Sequence, residues 1–394
     1  MKTIKTTIIL VFVFAFSNIL KAQDTEVVFK PTMKIEGRIM YDFNFLSAGD
    51  YEFAGNEFRR VRLAAKGKVA KNIGYKAEFD FAGGAVNFRD VYLKYTLPNK
   101  NGKLLLGSFT EPSSLDNMTS SKYITFFERS MMSNTQPFKY NAGIMYDNQH
   151  LFDGKMGLQL AYTFNGDKSE AFKDKHLEGG SNFIARATTA VINDKETHKV
   201  VHLGVNYETR NNEGGEYGYK FRTENHMGKK TGIGVSSDFE NTSDIGFELA
   251  TTFGSLSVQG EYEMTSVKTK DETFKGNGYY AFVSYFLTGE HRPYKNSSFG
   301  RVKPKKVFGK DGGLGAVELV ARYSVMDYNN FFDVDNNDDN DYKISNITVG
   351  FNWHLNNHTR VMYNFVSGDH GDLAPVDYDD NSLTGHLIRF QIDF

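Results

Sequence analysis

From Glu57 to Tyr95 the chain alternates with a period of two, and both phases carry meaning. Val61, Leu63, Ala65, Gly67 and Val69 share one parity; Arg60, Arg62, Lys66 and Lys68 share the other. The next stretch repeats the pattern, with Tyr75, Ala77, Phe79 and Phe81 against Lys76, Glu78 and Asp80. Period two marks a strand with two unlike faces. A strand on a soluble core turns its apolar face inward and scatters polar residues in water. A row of cations on one face describes instead a wall that is apolar outside and charged and wet inside, as in a membrane-spanning barrel. Ile35, Ile39, Tyr41 and Phe43, against Lys34, Glu36, Arg38 and Asp42, give the first such strand. Four strands lie before position 96. Twelve more are predicted at 102–109, 138–147, 155–165, 182–192, 199–208, 244–253, 255–266, 277–288, 314–326, 342–354, 358–367 and 386–394. The reading is all-β: a 16-stranded antiparallel transmembrane β-barrel, even in strand number and wide enough for an aqueous lumen.

The connections alternate in length, as barrel loops and turns do. Long ones are expected at 46–56, 110–137, 166–181, 209–243, 267–276, 327–341 and 368–385, with one short connection of this phase at 83–85. Short turns fall between them at 71–72, 97–101, 148–154, 193–198, near Gly254 and at 355–357; the exception is 289–313. A soluble solenoid or double sandwich would not produce this phase. The last strand ends in Phe394 after Ile388, Phe390 and Ile392, a terminal aromatic of the kind read by the outer-membrane assembly machinery.

Composition agrees. Mean hydropathy is −0.46, which argues against helical spans, and 34 Phe and 22 Tyr can furnish interfacial girdles. Residues 1–22 carry Lys2 and Lys5, an apolar run from Ile8 to Phe16 and a polar end at Ala22. They read as a cleaved signal peptide, too short in its apolar run to span comfortably as a helix. One barrel domain, 23–394, remains. It has no Cys, so no disulfide scaffold, and losing Lys2, Lys5 and Lys21 leaves it more acidic than the net −2 of the full chain.

Charge is unevenly placed. Asp327, Asp333, Asp335, Asp338, Asp339 and Asp341 crowd one outer loop, and Asp369, Asp372, Asp377, Asp379 and Asp380 another. The first has alternate spacing, but Asp338 and Ile344 stand where an EF-hand requires Gly and Glu, so no metal site is expected. Segment 291–310 is the converse, with Arg292, Lys295, Arg301, Lys303, Lys305, Lys306 and Lys310 and no acid. Neither a G-x-S-x-G elbow nor an H-E-x-x-H motif occurs, and the ten His are scattered. No enzyme, cofactor or nucleic-acid partner is expected.

Several motifs together resemble the phosphate-selective porin O/P family of Gram-negative outer membranes. They are Phe58-Arg59-Arg60-Val61-Arg62-Leu63, Phe88-Arg89-Asp90-Val91-Tyr92-Leu93, Gly107-Ser108-Phe109-Thr110-Glu111-Pro112, Tyr123-Ile124-Thr125-Phe126-Phe127-Glu128-Arg129 and Phe286-Leu287-Thr288-Gly289-Glu290. The segment Val317-Glu318-Leu319-Val320-Ala321-Arg322 adds to them, although the family usually has Trp at position 317. The resemblance covers essentially the whole mature chain. It implies a homotrimer embedded in outer-membrane lipid, with 110–137, 209–243 and 289–313 folded into the lumen. It also implies arginines leading to a constriction and lysines at the periplasmic exit. By position Arg59 and Arg60 match the strand-two arginines, and Asp90 an acid near them; strict alternation would put Arg59 on the lipid side unless a bulge turns it. Arg38, Arg62, Lys122, Arg129 and Arg222 complete the candidate anion-binding set, and the basic turn from Arg292 to Lys306 the exit. The expected function is passive diffusion of small anions, phosphate or polyphosphate among them. A general low-selectivity porin and a surface-binding or adhesive barrel stay open.

Overall fold

The computed structural model describes residues 29–135, 140–164, 180–211, 217–235, 239–332, 341–375, 378 and 380–394. The leader 1–22, most of 166–181, and Asp333, Asp335, Asp338, Asp339, Asp377 and Asp379 lie outside the described residues. The strands are β1 (Thr32–Ala48), β2 (Tyr51–Lys68), β3 (Ile73–Asp80), β4 (Asn87–Thr96), β5 (Lys103–Thr110), β6 (Tyr140–Leu151), β7 (Met156–Phe164), β8 (Ser181–Asp194) and β9 (Lys199–Asn211). After β10 (Tyr217–Phe221) and β11 (Thr231–Val235) come β12 (Phe239–Phe253), β13 (Leu256–Thr269) and β14 (Thr273–Phe286). The last are β15 (Tyr294–Lys295), β16 (Ser298–Phe299), β17 (Ala316–Asp327), β18 (Lys343–His354), β19 (Thr359–Asp369) and β20 (Ser382–Asp393). Sixteen of these form one closed barrel, each paired antiparallel to its neighbours; β10–β11 and β15–β16 are separate hairpins.

The alternation sets the register as expected. Leu63, Leu160, Tyr323 and Phe390 are exposed on the outside, whereas Arg60, Arg62, Glu261 and Arg389 are buried inside. Two connections expected to be long are not. Residues 46–56 contain only the tight turn Gly49-Asp50, and 267–276 only the turn 270–272. In both hairpins the strand pairing continues past the apolar band, to Ala48 opposite Tyr51 and Lys268 opposite Thr273, so the strands extend beyond the region the apolar pattern marks.

Three connections fold inward. Residues 111–135 carry two one-turn helices, Leu115–Met118 and Met131–Thr135. Phe126, Met131 and Met132 pack on Val267, Tyr280, Phe282, Val320 and Ile344 from the inner face of β13–β18. Phe127 packs on Leu46, Val366, Leu383 and Leu387. The tip of the β10–β11 hairpin enters from the same end, and Glu224 bonds there to Arg322 (2.6 Å), Asn346 (2.7 Å) and Thr348 (2.8 Å). The β15–β16 hairpin enters from the opposite end, where Tyr294 reaches His202 (2.7 Å) and Ser297 reaches Thr188 (2.7 Å). The over-long connection 289–313 thus carries an inserted hairpin.

The terminus closes the barrel. β20 pairs with β1, and Phe394 exchanges backbone hydrogen bonds with Gly37 at 3.1 and 3.0 Å. A Cβ on Gly37 would lie 2.3 Å from the Phe394 ring, so the missing side chain forms the slot for it. Gly37→Val should therefore displace the ring and destabilise the purified barrel by about 1–3 kcal/mol in a urea titration. Deleting Phe394 should lower the yield assembled in the outer membrane more than it lowers the stability of barrel that has folded. Equal losses in both measurements would contradict this.

Candidate functional site

A buried loop with irregular backbone must find partners for its carbonyls, and residues 111–133 are mostly buried. Arginine is the efficient donor, with five N–H groups in a fixed fork. In this chain Arg360 donates to the Ile124 carbonyl (2.8 Å), Arg322 to that of Glu128 (3.1 Å) and Arg389 to that of Phe127. Arg129, inside the loop, donates to the carbonyls of Asp116 (2.8 Å) and Thr119 (2.7 Å). At the other end of the segment Glu261 accepts the backbone N–H of Leu115 (2.9 Å) and Asp116 (2.8 Å).

The centre of this scaffold is Glu128. Arg59 grips it with two bonds, 2.8 and 3.0 Å; Arg389 adds one at 2.9 Å and Arg60 a weaker one at 3.5 Å. Arg389 also forms a two-pronged pair with Asp42, both bonds 2.7 Å. Burial pushes the Glu128 carboxyl up, but Arg59, Arg60 and Arg389 outweigh it and hold it well below the usual carboxylate range.

Arg59 reaches the lumen through a bulge. In the β1–β2 register Met40 faces Arg60 and Tyr41 faces Phe58, which leaves Arg59 as the extra residue. A second bulge sits two strands on. In the β3–β4 register Ala77 faces Val91 and Phe79 faces Phe88, so Arg89 and Asp90 together oppose Glu78. Each bulge puts two consecutive side chains on the inside.

Between the inward segment and the wall from β1 to β7 lies a cavity of about 410 Å³. Its lining includes Arg38, Arg59, Arg60, Arg62 and Arg129 with Asp90 from the predicted set. Lys76, Arg89 and Lys103 join them, and the carboxylates besides Asp90 are Glu78 and Asp147. Eight basic groups thus face three acidic ones. Following the register from the loop end, Arg59 and Arg60 come first, opposite Met40; Arg62 lies opposite Arg38, Arg89 beside Glu78, Lys76 opposite Lys66 and Lys103 opposite Thr96. Many of these cations are partnered: Arg38 with Glu78 (2.8 Å), Arg62 with Asp80 (2.8 Å), Lys76 with Asp90 (2.6 Å). Yet the Nε atoms of Arg38, Arg60 and Arg89 are buried without a protein partner among the described residues.

The other predicted residues lie elsewhere. Lys122 flanks a smaller recess with Tyr123, Arg301 and Asp393. Arg222 donates to the Gly228 carbonyl (2.7 Å) and braces its own loop. Arg292 is buried between the rings of Phe299 (3.8 Å) and Phe282 (5.0 Å) and donates to Gln259 (3.1 Å). Arg301 latches the turn to Asp393 and Tyr123. Of the basic turn, Lys295, Lys303, Lys305, Lys306 and Lys310 are exposed. Lys76, Arg89 and Lys103 were absent from the sequence-based set. Lys76 had the right parity; Arg89 is hidden by the bulge.

The profile of the family described as phosphate-selective porin O and P matches residues 33–394. The chain belongs to that family. Porin O of Pseudomonas aeruginosa is 27% identical over 406 aligned residues, covering 92% of this chain and 88% of that protein. Among solved structures, an anion-selective porin from Comamonas acidovorans superposes with a TM-score of 0.57 at 16% identity, covering 93% of this chain and 100% of that one. The trimer form of OmpT from Vibrio cholerae does so with a TM-score of 0.57 at 14% identity and the same coverage. At these identities the two structures speak to the fold alone. This porin is therefore an outer-membrane barrel, and the end bearing its short turns and C-terminus faces the periplasm.

Two consequences of the Glu128 hub can be measured. Arg389→Met leaves Asp42 and Glu128 buried without their shared partner, which should cost about 3–5 kcal/mol. It should also appear as added open-channel noise in single-channel recordings. A depressed folded pKa stabilises fully above the unfolded value of about 4.3 and fades only as pH falls through the lower folded value. The wild-type porin should thus be no noisier at pH 5 than at pH 7.

Proposed function

We propose that this porin is a passive outer-membrane channel for small anions, phosphate and polyphosphate among them, and that its selectivity resides in the cavity bounded by β1–β7. The observation that carries this is the excess of cations over carboxylates in the lining, eight to three. A narrow, low-dielectric passage focuses the field of fixed charges. At physiological salt the Debye length is ~8 Å, so exposed charges are screened within that distance while charges in a narrow passage are screened less. Guanidinium groups suit phosphate because they bond two oxygens at once, and lysine acts as a point charge. The arginines of the loop end and the lysines Lys76 and Lys103 nearer the turn end support a graded passage. Sites of graded strength admit an ion and still release it. Lys303, Lys305 and Lys306 would then provide the last step into the periplasm. No energy source is part of this reading, and no chemistry on the solute. The assembly proposed is a homotrimer, delivered by a cleaved leader and the outer-membrane assembly machinery.

Reversal potentials in a salt gradient test it. Arg60→Gln with Arg62→Gln should lower anion-over-cation permeability several-fold and weaken phosphate block of chloride current. Replacing Lys303, Lys305 and Lys306 by Gln should mainly weaken block by phosphate added on the periplasmic side. An unchanged reversal potential after the double arginine change would favour an unselective porin.

A further inference from the structure

Among the described residues the lumen holds four buried apolar clusters, and three include a residue of an inserted segment. Phe126, Met131 and Met132 cover one, Phe127 a second, and Leu115 with Phe299 a third. The fourth consists of wall residues alone: Leu105, Phe109, Met145, Ala161 and Ile184 on β5 to β8, with Tyr92 of β4 packed against it. Four of these form one inward rung, since Leu105 pairs with Met145, Met145 with Ala161 and Ala161 with Ile184. Tyr92, Leu105, Phe109 and Met145 line the same cavity as Arg38, Arg60 and Arg62, and Met118 joins them from the inward segment. Leu105 and Met145 are each 4% exposed and Arg60 3%, so each meets the cavity with only a small part of its side chain. Apolar surface on the wall of a wet channel costs free energy unless something covers it.

We propose that the passage takes organic anions, a phosphate or phosphonate head carrying a small apolar body, in preference to bare inorganic phosphate. The head meets the arginines of β1 and β2, and the body lies on the rung of β5 and β6. This deepens the anion-channel reading and rests on it. The two surfaces are complementary in kind to such a solute: β1 and β2 supply guanidinium donors, and β4 to β6 supply Tyr92, Leu105, Phe109 and Met145 beside Lys103 and Asp147. At about 410 Å³ the cavity has room for a one-ring solute, within the ~300–1,000 Å³ range of small-molecule sites. Polar residues at that parity would be the ordinary lining of a channel for inorganic phosphate alone.

Phenyl phosphate and inorganic phosphate present the same head and differ in the ring, so block of chloride current by each in planar bilayers isolates the rung. The wild-type porin should be blocked by phenyl phosphate at about five- to tenfold lower concentration than by phosphate. In Leu105→Ser with Met145→Ser the ratio of the two blocking constants should fall toward one. In the volume-conserving pair Leu105→Met with Met145→Leu it should stay high, which keeps the test open if the serine variant does not assemble. Equal block of the wild type by both anions would overturn the proposal and leave the anion-channel reading intact. So would a ratio that survives the serine changes, or one that collapses in the volume-conserving pair. Block by neither anion would remove the anion-channel reading, and this proposal with it.

Discussion

One buried carboxylate fixes where the channel can be open. Glu128 sits in an inserted segment whose regular structure is two one-turn helices, and it is gripped from β2 by Arg59 and Arg60 and from β20 by Arg389. Removing either side of that arrangement strands a charge in a low-dielectric interior, which is costly. The segment therefore has one position. Its apolar side chains, Phe126, Met131 and Met132, lie against the wall of β13 to β18, and its polar side faces β1 to β6. The cavity therefore lies off to the β1–β7 side, away from the wall the segment packs on.

That division sorts the arginines. Arg322, Arg360 and Arg389, on β17, β19 and β20, are occupied by the carbonyls and carboxylates of the inserted segments. Arg38, Arg60, Arg62 and Arg89, on β1, β2 and β4, border open space. Arg89 apart, both sets have the same parity, and all are the same residue type. A count of lumen cations cannot separate the ones that hold the inserted segments from the ones a solute can meet. Arg129 belongs partly to each set, bordering the cavity while its donors serve its own loop.

What was legible in the sequence follows from what period two can encode. Side-chain parity gave the wall, its outside and inside, and the closed antiparallel barrel, because each strand carries its own two-faced pattern. The length of 289–313 disclosed an insertion. Parity could not disclose Arg59 and Arg89, because a bulge resets the phase for two residues and leaves no mark in a hydrophobic pattern. Nor could it fix the partners of Arg222, Arg292 and Arg301, which depend on carbonyls and rings brought close only by the fold. The outer extents of β1, β2, β13 and β14 were missed for another reason: beyond the apolar band both faces are wet, and the alternation loses its contrast.

One further signal was present. Where the inner wall is apolar the strands lose their polar phase, as in Leu104-Leu105-Leu106 and Tyr279-Tyr280-Ala281-Phe282-Val283. In a soluble protein such runs mean a strand covered on both faces. In a barrel one face is already committed to lipid, so an unbroken run means that something apolar also touches the inside. For Tyr280 and Phe282 that something is the inserted segment, through Phe126. For Leu105 no inserted residue belongs to the cluster, and its neighbours are other wall residues and the cavity. The same sequence signature thus has two physical causes, and only the position of the segment pinned by Glu128 tells them apart.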